Sequence, residues 1–212
     1  ALMYKLTFLA CKISYFLMFA LVFPLAFEMD FVFRVWLGNE IPPYTNIFAW
    51  IILGIVLTES FHSAFLMAFH AIGRMKLGNL LCGSLMILAL PIGYIALKIG
   101  FPPYSVFIII LVTNIVCHII SWMIVHSYVP FSFRHLVLIV YLPCLLVTMC
   151  ALPIPLLIMR NLEEGWLRFF VLLTVSELLY GLSIYFIGFN RMERQELVIP
   201  VLVKIKKKIN IF

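Results

Sequence analysis

Charge is the scarcest property of this chain. Only 11% of its 212 residues are Asp, Glu, Lys or Arg, against about 25% in a soluble domain. That shortage excludes a water-soluble enzyme with an ordinary polar surface. There is no Cys-x-x-Cys, and no ligand set stands beside any of the five cysteines, Cys11, Cys82, Cys117, Cys144 and Cys150. All five fall in apolar stretches and read as small buried hydrophobes with no disulfide or metal role. Also missing are a Ser-His-Asp set, a His-Glu-x-x-His pair and a phosphate-cradling glycine loop. The sequence therefore carries no signature of an enzyme and implies no cofactor. It has no soluble domain, internal repeat or low-complexity linker.

What is abundant is hydrocarbon. The chain is 65% hydrophobic, with a mean hydropathy of +1.16. Six apolar runs cover residues 6–27, 45–72, 77–99, 104–128, 136–159 and 166–189. A membrane-spanning helix needs about 20 mostly apolar residues. In lipid every backbone N–H and C=O must be satisfied within a helix or a closed barrel. These runs are continuous, without the alternation of barrel strands. The expected fold is all-α, a polytopic transmembrane bundle of six spans over residues 1–190, with a basic tail over 191–212.

The net charge of +6 raises a nucleic-acid reading, which the distribution of the charge removes. If Ala1 is cytoplasmic, the outer loops hold only Arg34, Lys98, Arg160 and Arg168. Every other Lys and Arg falls on the inner side, including Lys5, Lys12, Arg74, Arg134 and the tail Lys204-Ile205-Lys206-Lys207-Lys208. That is the positive-inside asymmetry, so both ends are expected in the cytoplasm. Acidic residues favour the other side, with Glu28, Asp30, Glu40, Glu163 and Glu164 outside. Trp36, Tyr44, Tyr104 and Trp166 occupy headgroup depth, as aromatic residues do. The segment from Glu28 to Gly38 is amphipathic and too charged to span; it reads as a short interfacial helix ended by glycine. Pro91 in the third run, and Pro143, Pro153 and Pro155 in the fifth, each remove a helical hydrogen bond and favour kinks. The abrupt apolar start reads as a piece of a longer protein.

Ionisable groups inside a membrane cost at least ~2.5–3.5 kcal/mol each on insertion scales and need partners or water. The second run carries Glu59, His62, Ser63 and His70 at steps that share one helical face. The fourth carries Asn114, His118 and Ser121, and the sixth carries Thr174, Glu177 and Gly181 with Tyr180 beside them. These stripes point to a shared hydrated cavity, with Glu59, His62, Ser63, Asn114, His118 and Glu177 as cavity or coupling candidates. Hydrogen bonding that merely joins helices, worth about 0.6 kcal/mol per pair, is the better account of Ser63, Asn114 and Ser121. Glu59 and His62 favour function, because such a pair can share a proton. His70 lies near the cytoplasmic end.

Three stretches carry a resemblance. They are Glu28-Met29-Asp30-Phe31-Val32-Phe33-Arg34-Val35-Trp36-Leu37-Gly38 with Pro43-Tyr44-Thr45, then Ala68-Phe69-His70-Ala71-Ile72-Gly73-Arg74-Met75-Lys76, and Glu164-Gly165-Trp166-Leu167-Arg168-Phe169 with Ser183-Ile184-Tyr185-Phe186-Ile187-Gly188-Phe189-Asn190. Together they resemble polysaccharide-precursor flippases, including the O-antigen type, of the multidrug/oligosaccharidyl-lipid/polysaccharide exporter superfamily. The resemblance implies the C-terminal portion of a transporter of twelve to fourteen helices in two bundles. It implies alternating access, a polyprenyl-pyrophosphate-linked oligosaccharide as substrate, membrane lipids as surroundings, protons or sodium as coupling ion, and the bacterial cytoplasmic membrane as location. Arg34 and Arg168 would then line the outer mouth. His70 stands where that family often has Gln, and its usually cationic cavity contrasts with Glu59 and Glu177 here. A drug/cation antiporter of the same superfamily, and a membrane-embedded transferase of polysaccharide synthesis, are the rival expectations.

Overall fold

The computed structural model describes residues 2–38, 41–73, 75–129 and 131–195. The loop tip at Glu40, Arg74 of the cationic turn and the basic tail from Glu196 onward lie outside the described residues. The described chain is helical almost throughout, and six of its helices are long and apolar enough to cross a membrane. They lie where continuous apolar sequence demands internal satisfaction of every backbone polar group. The protein is an all-α, multi-pass membrane bundle.

The first span is α1, Leu2–Phe27. The interfacial segment forms α2, Met29–Leu37, stopped where Gly38 takes φ 76° and donates its N–H to the Arg34 carbonyl. Next come α3, Thr45–Ile72, α4, Met75–Ile99, and α5, Ser105–Tyr128. Tyr44, at the entry to α3, has φ 69°, a region rarely used by bulky residues. Its ring lies 5.6 Å from that of Tyr104 at the entry to α5.

Proline shapes the fifth span most. It is built from α6, Phe133–Leu136, a π-helical turn at Val137–Tyr141, α7, Leu142–Ala151, and α8, Pro153–Asn161. Pro143 cannot donate to the Ile139 carbonyl and its ring crowds that carbonyl; the wider turn just before it accommodates the conflict. Pro153 and Pro155 do the same to Met149 and Ala151, and the helix is interrupted at Leu152, just before them. By contrast α4 runs unbroken through Pro91. The sixth span is α9, Trp166–Ser183, followed by a second π-helical turn at Ile184–Gly188 and the short α10, Arg191–Glu193.

Packing is closest between α1 and α3, α3 and α5, and α4 and α5, while the fifth span and α9 close on the other side of α1. One core gathers Phe8, Cys11, Phe65, Phe69, Val125, Phe131, Leu136 and Val140. A second gathers Phe16, Phe19, Phe23, Cys144, Val147, Ala151 and Tyr180. Lipid tails are as apolar as leucine, so close approach at small residues does much of the joining. At Gly188 the ring of Phe16 packs so near that an added Cβ would sit 2.7 Å from it. Cys82 and Cys117 join α4 to α5, each thiol facing the other's carbonyl at 3.9 and 3.8 Å. Four of the cysteines are buried and free as expected; Cys150 differs, lying on an exposed face of the fifth span.

Two ion pairs tie α1 to the sixth span. Towards its middle, Lys12 is fully buried and its Nζ donates to both carboxylate oxygens of Glu193, at 2.6 and 2.5 Å, and to the Gly188 carbonyl at 3.4 Å. Just past its end, Glu28 is equally buried and accepts from Arg168 Nε and a terminal guanidinium nitrogen at 2.7 and 2.8 Å. The sequence reading treated Lys12 as a topology cation and Glu28 as an outer-loop acid. Nothing in either neighbourhood announces the partner.

Candidate functional site

Helix α3 brings Glu59, His62 and Ser63 to one side by the three- and four-residue steps of an α-helix. His62 is buried, Ser63 half-buried and Glu59 exposed. Ser63 donates to the Ser60 carbonyl at 3.0 Å, and the buried Ser60 donates to the Leu57 carbonyl at 2.6 Å. Both hydroxyls thus turn back on their own helix, as serine does when it lacks a partner across the interface. Glu59 lies within electrostatic range of His62 and of Cys117 on α5.

From the facing helix, α5, come Asn114, His118 and Ser121. Asn114 and Ser121 are buried, and Ser121 Oγ meets Cys82 Sγ at 3.6 Å. His118 is the hub. Its Nε2 and the hydroxyl of Tyr141 are 2.5 Å apart. Its ring stands edge-on to that of His62, centroids 6.4 Å apart. Phe61 and Phe65 close around it, with Phe65 at 5.4 Å from His118 and Phe61 at 5.1 Å from Tyr141. His62 Nδ1, His118 Nδ1 and Asn114 Oδ1 are buried without a hydrogen-bond partner among the described residues. Leaving such an atom unpaired in a dry interior costs about 1–3 kcal/mol.

Tyr141 is the member that sequence reasoning missed. It is the last residue of the π-helical turn ahead of Pro143. The extra residue in that turn rotates everything after it relative to a regular helix, so a helical wheel drawn through the fifth span misplaces the face. A phenol in the middle of a proline-rich apolar run was the available signal.

Glu177 is not in this cluster. It lines a separate groove of about 250 Å³ between α1 and the sixth span, with Ile13, Phe16, Leu17, Ala20 and Tyr180. The stripes of the second and fourth spans therefore meet, while that of the sixth faces elsewhere. His70 is exposed at the end of α3. The outer-mouth candidates both hold carboxylates: Arg168 is bound to Glu28, and Arg34 on α2 pairs with Glu164 while its side chain stays 49% exposed. Among the described residues no group of three or more His, Cys, Asp or Glu could hold a metal ion.

Compared with protein-family models, with curated proteins and with solved structures, the chain matches none. The likeness to polysaccharide-precursor flippases rests on the sequence stretches quoted above.

Proposed function

We propose that this chain forms part of a membrane transporter that moves a polyprenyl-pyrophosphate-linked oligosaccharide across the bacterial cytoplasmic membrane by alternating access. The observation that carries the reading is the polar cluster of His62, Asn114, His118 and Tyr141, contributed by three different spans and carrying unpaired buried polar atoms. Polar and ionisable groups at membrane depth are expensive and mark solute or proton paths in membrane proteins. The proline-interrupted fifth span, which supplies Tyr141, is the kind of discontinuous helix that transporters place beside a substrate path. The framework motifs supply the substrate class. Both ends of the six-span bundle then lie in the cytoplasm, no turnover chemistry is performed, and the coupling ion is a proton or sodium.

Disrupting the gene tests this directly. Lipid-linked oligosaccharide should still be made and should accumulate on the cytoplasmic leaflet. A strain in which the precursor itself fails to form would overturn the reading in favour of a synthetic transferase.

One observation favours a second reading, a drug/cation antiporter of the same superfamily. Lys12 and Arg168 are already neutralised by Glu193 and Glu28, so neither offers a free positive charge to a pyrophosphate. Glu59 and Glu177 form no ion pair among the described residues, and acidic groups of that kind suit a cationic solute. Resistance to organic cations that is lost on deletion, with no stranded oligosaccharide, would decide for it.

A further inference from the structure

We infer that His62 and His118, with Tyr141 and Glu59, form a binding site for a single exchangeable proton within the membrane. This deepens the transporter reading and relies on it only for the use to which the proton is put.

The argument is one of geometry and charge. Two imidazoles with centroids 6.4 Å apart sit in a setting where like charges repel strongly. The low dielectric that makes an unpaired buried group costly also forbids both rings from being cationic together. One added charge is a different matter, because Glu59, one helical turn from His62 and within its electrostatic range, supplies a carboxylate to balance it. Tyr141 fixes the other end. Its hydroxyl lies 2.5 Å from His118 Nε2; when His118 is neutral the phenol donates to that nitrogen and the ring proton resides on Nδ1. Taking up a proton at Nε2 requires the phenol to turn and accept instead, which a hydroxyl does without displacing its oxygen. His62 offers Nδ1, buried and without a partner, as the second seat. The proton is taken from solution and returned to it, so charge balances: the site passes from net negative with Glu59 ionised to net neutral.

The groups around the pair come from every element packed against it. On α3 they are Glu59 and His62, on α5 Cys117 beside His118, and on α4 Cys82. The fifth span supplies Tyr141 and Cys144, and α1 supplies Cys11, whose thiol faces the Phe61 carbonyl, and Tyr15, whose ring stacks on Phe61 at 4.9 Å. The only carboxylate in the set is Glu59. Lys12, the buried cation of α1, is bound to Glu193.

The experiment is nitrogen NMR of the histidine rings in the full chain, reconstituted in lipid bilayers. Three of the five histidines, His70, His126 and His135, are replaced by Gln so that only His62 and His118 report. As the pH is lowered from neutral, the two rings together should take up one proton, with a single transition seen at both. Glu59→Gln should weaken that uptake by about tenfold or more, the scale expected when a nearby opposite charge is removed. Tyr141→Phe should change the His118 nitrogen shifts at neutral pH while leaving the fold, judged by thermal unfolding, in place. Two independent transitions of the kind exposed imidazoles show would overturn the proposal. So would no uptake while the protein remains folded, or uptake indifferent to Glu59. None of these readings needs a transported solute. Stranded oligosaccharide without proton uptake would retain the flippase and discard the site; uptake without stranded oligosaccharide would do the reverse.

Discussion

Lys12 and Arg34 show how differently the same kind of contact behaves with depth. The Lys12 side chain is 1% exposed and its carboxylate partner Glu193 is 21% exposed, whereas Arg34 is 49% and its partner Glu164 29% exposed. Breaking a buried pair from one side leaves a naked charge and costs about 3–5 kcal/mol, while replacing both partners by apolar groups is often neutral. Exposed pairs contribute at most about 1 kcal/mol. Lys12→Met should therefore lower the unfolding temperature of the purified protein sharply, and Lys12→Met combined with Glu193→Met should restore most of it. Arg34→Ala should scarcely move it. A double variant as unstable as the single one would mean that the lysine stem, and not its charge, holds the bundle. At this scale the sequence was only partly legible. The chemical oddity of Glu59, His62, Asn114 and His118 stood out against hydrocarbon, but Lys12 and Glu193 are separated by 181 positions and no periodicity links residues on different helices.

Helices show the opposite balance. All six spans and the interfacial α2 could be read from the chain, because a run of about 20 apolar residues in lipid has essentially one backbone solution. What could not be read was the phase of the fifth span. A π-helical turn adds one residue, and one residue rotates a helix face by about 100°, so side chains on either side of Tyr141 belong to different wheels. Pro143→Ala should allow Val137–Tyr141 to relax toward regular α-helix, turning Tyr141 away from His118; the same ring-nitrogen shifts would report it, and unchanged shifts would exonerate Pro143 as the cause of the turn. Gly188 tests a contact between elements. Gly188→Ala places a methyl group against the Phe16 ring, itself enclosed by Tyr180 and Phe189, and overpacking of this kind costs about 1–3 kcal/mol. Phe16→Leu in the same chain should recover part of the lost thermal stability. If it does not, the glycine is needed for its backbone and not for its lack of a side chain.

The whole molecule can be placed by its loops. In a chain whose five cysteines are replaced, Glu163→Cys should react with an impermeant maleimide in intact cells, and Ser132→Cys only after the membrane is opened. The reverse pattern would invert the orientation drawn from the basic residues. The ion pairs of Lys12 and Glu28 carry a further consequence, for biosynthesis. Synthesis from the N-terminal side delivers Lys12 and Glu28 to the bilayer before their partners, which follow 181 and 140 residues later. At about 5–20 residues per second, Lys12 waits roughly 10–35 s for Glu193. Through that interval α1 is a guest with unmet charges near its middle and just past its end, dependent on the translocon, on lipid headgroups or on a membrane chaperone for shelter. The sixth span, which emerges later, is the one that seats α1 in the bundle. Quality control can thus read the closure of these six spans from a single question: whether Lys12 has found its carboxylate.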